Sequence, residues 1–123
     1  MLKTFTLTAA VATFATATVA AESSQVAEGK SLFVTYCSTC HGADGQRGEG
    51  FQTPIWGPGS QIRKFGHAQG LFEYLQVMMP FDDPSKIDDQ ARWKVLAYML
   101  ERHKAIAAGG TLDPAQAAMV PIE

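Results

Sequence analysis

Apolar positions along this chain fall into four blocks: one unbroken run at the start, then three stretches with helical spacing divided by a glycine-rich gap. From Gln25 to Thr39, Val26, Gly29, Leu32/Phe33 and Tyr36 return every three or four residues, which predicts a first helix over 25–39. Residues 42–66 hold Gly42, Gly45, Gly48, Gly50, Pro54, Gly57, Pro58, Gly59 and Gly66, too many breakers for regular structure. A bare connection of that length is unusual in a small domain. It makes sense if the segment wraps something other than itself. A second helix is predicted over 67–78, with Leu71, Leu75 and Met78 on one face and Pro80 ending it. Asp88 stands where it can cap a last helix over 89–104. There Trp93, Leu96, Ala97 and Leu100 form a stripe that Val95, Tyr98 and Met99 widen. No repeat is visible and the strand signal is poor, so the expected class is all-α, with three to four helices and a long loop.

The first apolar block has a different character. Lys3 precedes Phe5–Ala21, which is uncharged, rich in alanine and threonine, and ends in small residues before Glu22-Ser23-Ser24. That is the layout of an export leader, with a basic start, an apolar stretch and a small-residue cleavage site after Ala20 or Ala21. A retained membrane anchor fits less well, because the run is only marginally apolar and shorter than the roughly 20 strongly apolar residues a span prefers. The expected organisation is a leader over 1–20, one domain over 21–104 and an extension over 105–123. No later run is long and apolar enough to span a bilayer. Losing the leader removes Lys3 and takes the formal net charge from −2 to −3. This balance gives no sign of nucleic-acid or anionic-membrane binding. A domain of this size has a thin core, and a large apolar cofactor would add to it.

The chemistry lies in Cys37-Ser38-Thr39-Cys40-His41. A C-x-x-C-H run is the attachment signature of a c-type haem. Two thiols three positions apart near a helix end lie one turn apart and can add to the two vinyl groups of one porphyrin. His41 then follows where it can supply an axial nitrogen to the iron. Other uses of the cysteines fit less well. A thioredoxin-like pair sits in a strand-helix-strand setting that is missing here. Structural zinc needs a second ligand pair, and His67 and His103 are isolated while no further cysteine exists. A disulfide leaves His41 without a role. Covalent haem c and an exported, periplasmic chain imply each other, because this haem is attached outside the bacterial cytoplasmic membrane.

An iron that carries electrons needs a second axial ligand, and a methionine thioether raises the potential relative to a second histidine. The candidates are Met78, Met79, Met99, Met119, His67 and His103. Met79 is favoured, since it ends a helix just before Pro80, where the chain turns and the thioether can face inward. Met78 reads as packing on the helix face and Met99 as part of the last stripe. His67 reads as a solvated helix cap, and His103 as a cation near a helix C-terminus. The acidic group Asp82, Asp83, Asp88 and Asp89 is either a solvated turn plus a helix start or a surface that steers a basic partner.

Over nearly its whole length after the leader, the chain resembles the class I cytochromes c. Gly29-x-x-x-Phe33, then Cys37–Gly42, Asp44-Gly45, Met79-Pro80, and an aromatic last helix with Trp93 and Tyr98 fall in that family's order and rough spacing. The resemblance implies the cytochrome c fold around one covalently bound haem c, with Cys37 and Cys40 on the ring and His41 and Met79 on the iron. It implies that the first and last helices cross through Gly29 and Phe33, with Trp93, Ala97 and Tyr98 as their partners. It also implies a proline carbonyl that accepts from the proximal histidine ring. The family's Gly-Pro-x-Leu pattern is altered here to Thr53-Pro54-Ile55-Trp56-Gly57-Pro58, and Pro54 is the better match. Trp56 is then expected to cover a haem edge, with its indole N–H able to reach a propionate.

The extension 105–123 resembles the tail of haem subunits of periplasmic dehydrogenases, such as those that oxidise sulfite or related sulfur compounds. The expected function is one-electron transfer between a donor and another redox protein, without catalysis by this chain. A haem subunit attached to a molybdenum or quinone dehydrogenase is the second reading, and a small peroxidase with an open sixth position a more distant third.

Overall fold

In a computed structural model, residues 1–2, 9–18 and 20–123 are described, and the sequence-predicted leader lies in part on residues 3–8 and 19, outside them. The described leader residues carry no regular structure, and Val11 and Phe14 are exposed. Four α-helices follow among the described residues: α1 (Ser24–Tyr36), α2 (Ser38–His41), α3 (Ala68–Met78) and α4 (Asp89–His103). Three 3-10 turns cover Ile62–Phe65, Pro84–Lys86 and Pro114–Met119. The protein is all-α, as the periodicity predicted.

The local chemistry explains the helix ends. The Ser23 hydroxyl accepts from the Val26 N–H and starts α1. The sequence predicted one helix through Thr39, but the structure bends it at Cys37, between α1 and α2. Ser38 Oγ donates to the Val34 carbonyl at 2.6 Å, a back-bond of the kind that bends helices. His67 Nδ1 accepts from the Gly70 N–H at 3.2 Å and caps α3, as expected of a solvated cap. Asp88 accepts from the Ala91 N–H at 2.8 Å and starts α4.

α1 crosses α4 at Gly29. A Cβ on Gly29 would collide with the Lys94 carbonyl and press on Tyr98, so only glycine lets the backbones come this close. Phe33, one turn on, packs its ring 5.6 Å from that of Tyr98. The expected crossing is thus made with Tyr98 and the Lys94 backbone. Trp93 lies elsewhere: its indole stacks flat on Phe72 of α3, centroids 3.7 Å apart. That contact ties α3 to α4.

The extension is ordered and packed. Leu112, Ala117 and Ile122 are buried in the same core as Phe33, Leu96 and Leu100. Gln25 on α1 exchanges two hydrogen bonds with the Leu112 backbone, at 2.8 and 2.7 Å. The Val120 carbonyl accepts from the Ala68 N–H at 2.9 Å, and the Ile122 N–H donates to the Gly66 carbonyl at 3.0 Å. His103 is more than a cation at a helix end. Its Nδ1 accepts from the Gly57 N–H at 2.9 Å while Nε2 donates to the main-chain oxygen of Glu123 at 2.8 Å.

Candidate haem site

A cavity of about 500 Å³ lies between α2, the long loop, α3 and α4, inside the size range of cofactor pockets. Its wall includes Cys37, Cys40 and His41 on one side and Met79 with Pro80 from the end of α3. Leu71, Leu75, Val95 and Met99 supply apolar surface between them. Residues about 40 positions apart in sequence are brought to one space because α3 returns across the loop and ends beside α4.

The bend at Cys37 decides how the two thiols are presented. Cys37 is half-buried and Cys40 exposed. Burial pushes the Cys37 thiol up to about 11, and the neighbouring Cys40 adds to the rise. A redox-active or nucleophilic cysteine needs the opposite shift, so Cys37 does not sit in the microenvironment of one. The loop is laid tightly on the motif. The Gly50 and Phe51 N–H groups both donate to the Cys40 carbonyl, at 3.2 and 2.9 Å. A Cβ on Gly50 would lie 2.9 Å from the Cys40 Cβ and Sγ. Phe51 then sits edge-on to the His41 ring, centroids 5.2 Å apart.

His41 is half-buried, and desolvation lowers its pKa. Burial thus favours the neutral ring, the form that can bind a metal. Its Nδ1 is buried and has no hydrogen-bond partner among the described residues. The bond expected from this ring to the Pro54 carbonyl is therefore not made, although Pro54 does line the cavity. A half-buried imidazole, two thiols and a thioether on the wall of one largely apolar cavity suit an iron porphyrin attached through the cysteines. The residues present fit the group.

Met79 is half-buried and lines the cavity, whereas Met78 is 37% exposed and does not. Met78 is thus a surface residue and not the packing residue that the periodicity suggested. Met99 is buried in α4 and also borders the cavity. His67, His103 and Met119 lie off the wall. Trp56 is placed differently from the expectation. It is buried, but it packs behind Phe33 and against Tyr98, with centroids 5.1 and 5.5 Å away, and does not line the cavity. The structure makes it core.

The sequence did not single out Phe51 and Arg92, both on the cavity wall. Phe51 was hidden in a segment read only as breakers. Arg92 sits three residues after Asp89, an ordinary ion-pair spacing on a helix surface.

Residues 24–99 match the family described as cytochrome c oxidase, cbb3-type, subunit III. The chain belongs to this family of c-type cytochromes. With membership come a covalently bound haem c and a role in electron transfer. The thiosulfate dehydrogenase of Stutzerimonas stutzeri (strain A1501) is 31% identical over 84 residues, 60% of this cytochrome and 26% of that protein. The cytochrome therefore spans about a quarter of that relative's length. No solved structure matches it.

Proposed function

We propose that this cytochrome is an exported one-electron carrier that holds one haem c through Cys37 and Cys40 and ligates its iron with His41 and Met79. The observation that carries the reading is the single cavity that gathers these four side chains from α2 and the end of α3. When bound, the haem supplies a ferric/ferrous couple. The cysteines fix the ring at two points independent of the iron. His41 would offer its imidazole, whose neutral form burial favours. Met79 would offer a soft thioether, which favours ferrous iron. A thioether in that role argues against a peroxidase, which needs an open position on the iron. Leu71, Leu75, Val95 and Met99 keep water from the ring, and a dry shell favours the less charged state.

Electrons are passed where the wall opens. Cys40, Phe51 and Phe81 are exposed residues that border the cavity, Phe81 at 76%. A redox protein that donates or accepts an electron would meet the molecule there. The leader read over 1–20 supports a periplasmic location, where haem c is attached. Among the described residues no helix is long and apolar enough to cross a membrane.

A second reading has its own support. The relative in Stutzerimonas stutzeri is named a thiosulfate dehydrogenase, and this chain matches only part of it. In that reading the cytochrome is the electron-accepting part of a dehydrogenase for a sulfur compound, bound to a molybdenum or quinone subunit or another redox unit. Co-purification with such a subunit from native extracts separates this from a free carrier.

The ligand assignment is tested in the ferric spectrum. Met79→Ala should abolish the weak sulfur-to-iron band at the red end and lower the potential. Met78→Ala should keep the band, because Met78 faces away from the cavity. The reverse result moves the ligand by one residue.

A further inference from the structure

Arg92 is the one buried charged side chain among the described residues, 4% exposed, and it sits on the cavity wall with Met79. It reaches from α4 to the segment that returns from α3. Its Nη2 donates to the Pro84 carbonyl at 2.8 Å and to that of Ile87 at 3.2 Å, and meets that of Met79 at 3.5 Å, the long limit of such a bond. Nη1 donates to Asp89 at 2.7 Å. Nε is buried and finds no partner among the described residues.

A buried guanidinium with an unsatisfied N–H is a poor choice for stability alone, since desolvation and the unmade bond both count against it. Its neighbours on α4, Val95, Leu96 and Met99, are apolar. A similar residue at position 92 would fill the space without that penalty. What an apolar residue could not do is hold the carbonyls of Met79, Pro84 and Ile87 at once.

We infer that Arg92 is a positioning residue for the Met79 thioether, through its grip on the segment from Met79 to Ile87. The inference rests on the reading of Met79 as the second iron ligand. The Met79 N–H is held on the other side by the Leu75 carbonyl at 3.0 Å. The Met79 backbone is thus clamped between α3 and α4, which the Phe72–Trp93 stack keeps in register. Such a clamp resists the swing that would let another ligand take the iron. Lysine is a poor substitute. Its ammonium is a compact point charge, whereas the planar fork of arginine spreads its donors.

The test uses the full-length haem-loaded protein and imidazole as the competing ligand, followed by the sulfur-to-iron band in the ferric state. Arg92→Lys and Arg92→Gln should each reduce the imidazole concentration for half-displacement by about tenfold or more, as expected for losing charge-assisted bonds. Arg92→Lys keeps the charge, so a drop there separates grip from charge. Leu112→Ala destabilises the fold away from the cavity and should leave that concentration unchanged. Wild-type behaviour of both Arg92 variants overturns the inference, as does an equal drop in Leu112→Ala. It is also overturned if neither Arg92 variant accumulates as holoprotein while Leu112→Ala does, because Arg92 is then a folding residue. If instead Met79→Ala keeps the band, the ligand reading itself fails, and that result is distinct from the others.

Discussion

Cys37 stands at the bend between α1 and α2, and its chemistry shows how position sets the use of a thiol. Buried and next to a second cysteine, it is pushed up to about 11, far from the depressed range of redox-active cysteines. In the proposed reading it is a point of permanent attachment for the haem. Denatured protein extracted with acidified acetone should therefore retain its haem, and release of free haem would remove the c-type assignment. Cys37→Ala or Cys40→Ala should cut holoprotein yield sharply, measured as haem absorbance per mass of protein. The C-x-x-C-H motif was legible as residues because its chemistry requires specific atoms at fixed spacing. Trp56 was not. A tryptophan in a loop can face a cofactor or a core equally well, and only the packing of Phe33 and Tyr98 against it settles which.

At the level of elements, the crossing of α1 over α4 depends on a missing side chain. Gly29→Ala gains about 1 kcal/mol in helix propensity. It loses more, because the added methyl meets the Lys94 carbonyl, and backbone cannot step aside as a flexible side chain can. Overpacking of this kind costs about 1–3 kcal/mol. The expected result is net destabilisation, read as a lower denaturant midpoint, whereas Lys30→Ala on the exposed face should change little. The acidic group at the start of α4 has a similarly local explanation. Asp82 pairs with Lys86, Asp83 accepts from the Ser85 N–H and Oγ, Asp88 caps the helix and Asp89 pairs with Arg92. Asp82→Asn with Asp83→Asn should leave the melting temperature nearly unchanged, as exposed pairs contribute little. If partner reduction also keeps its rate and salt dependence, the patch is structural only. A slower rate with a shallower salt dependence assigns it to steering.

The molecule as a whole is closed by its own tail. Residues 111–123 bury Leu112, Ala117 and Ile122, satisfy the Ala68 N–H at the start of α3, and meet His103, which also holds Gly57 of the long loop. Removing those residues should lower stability by about 3–5 kcal/mol, the transfer value of two large apolar side chains with the lost bonds. A small domain has little reserve against such a loss. Thermal melts of the haem-loaded truncation check this. The sulfur-to-iron band should survive at low temperature, because the tail does not line the cavity.

What the sequence determined by itself was local. Helical spacing, caps and breakers set the all-α class and the rough limits of α1, α3 and α4. The C-x-x-C-H spacing set the cofactor, since two thioethers and an adjacent imidazole need that geometry along one chain. The core burial of Trp56, the docking of the tail and the clamp at Arg92 were decided by the tertiary structure. Each depends on groups far apart in sequence, whose partners no local pattern names. Arg92 shows the reason most directly. Its spacing from Asp89 matches any surface ion pair, and only the return of residues 79–87 over α4 removes it from water and gives it three carbonyls to hold.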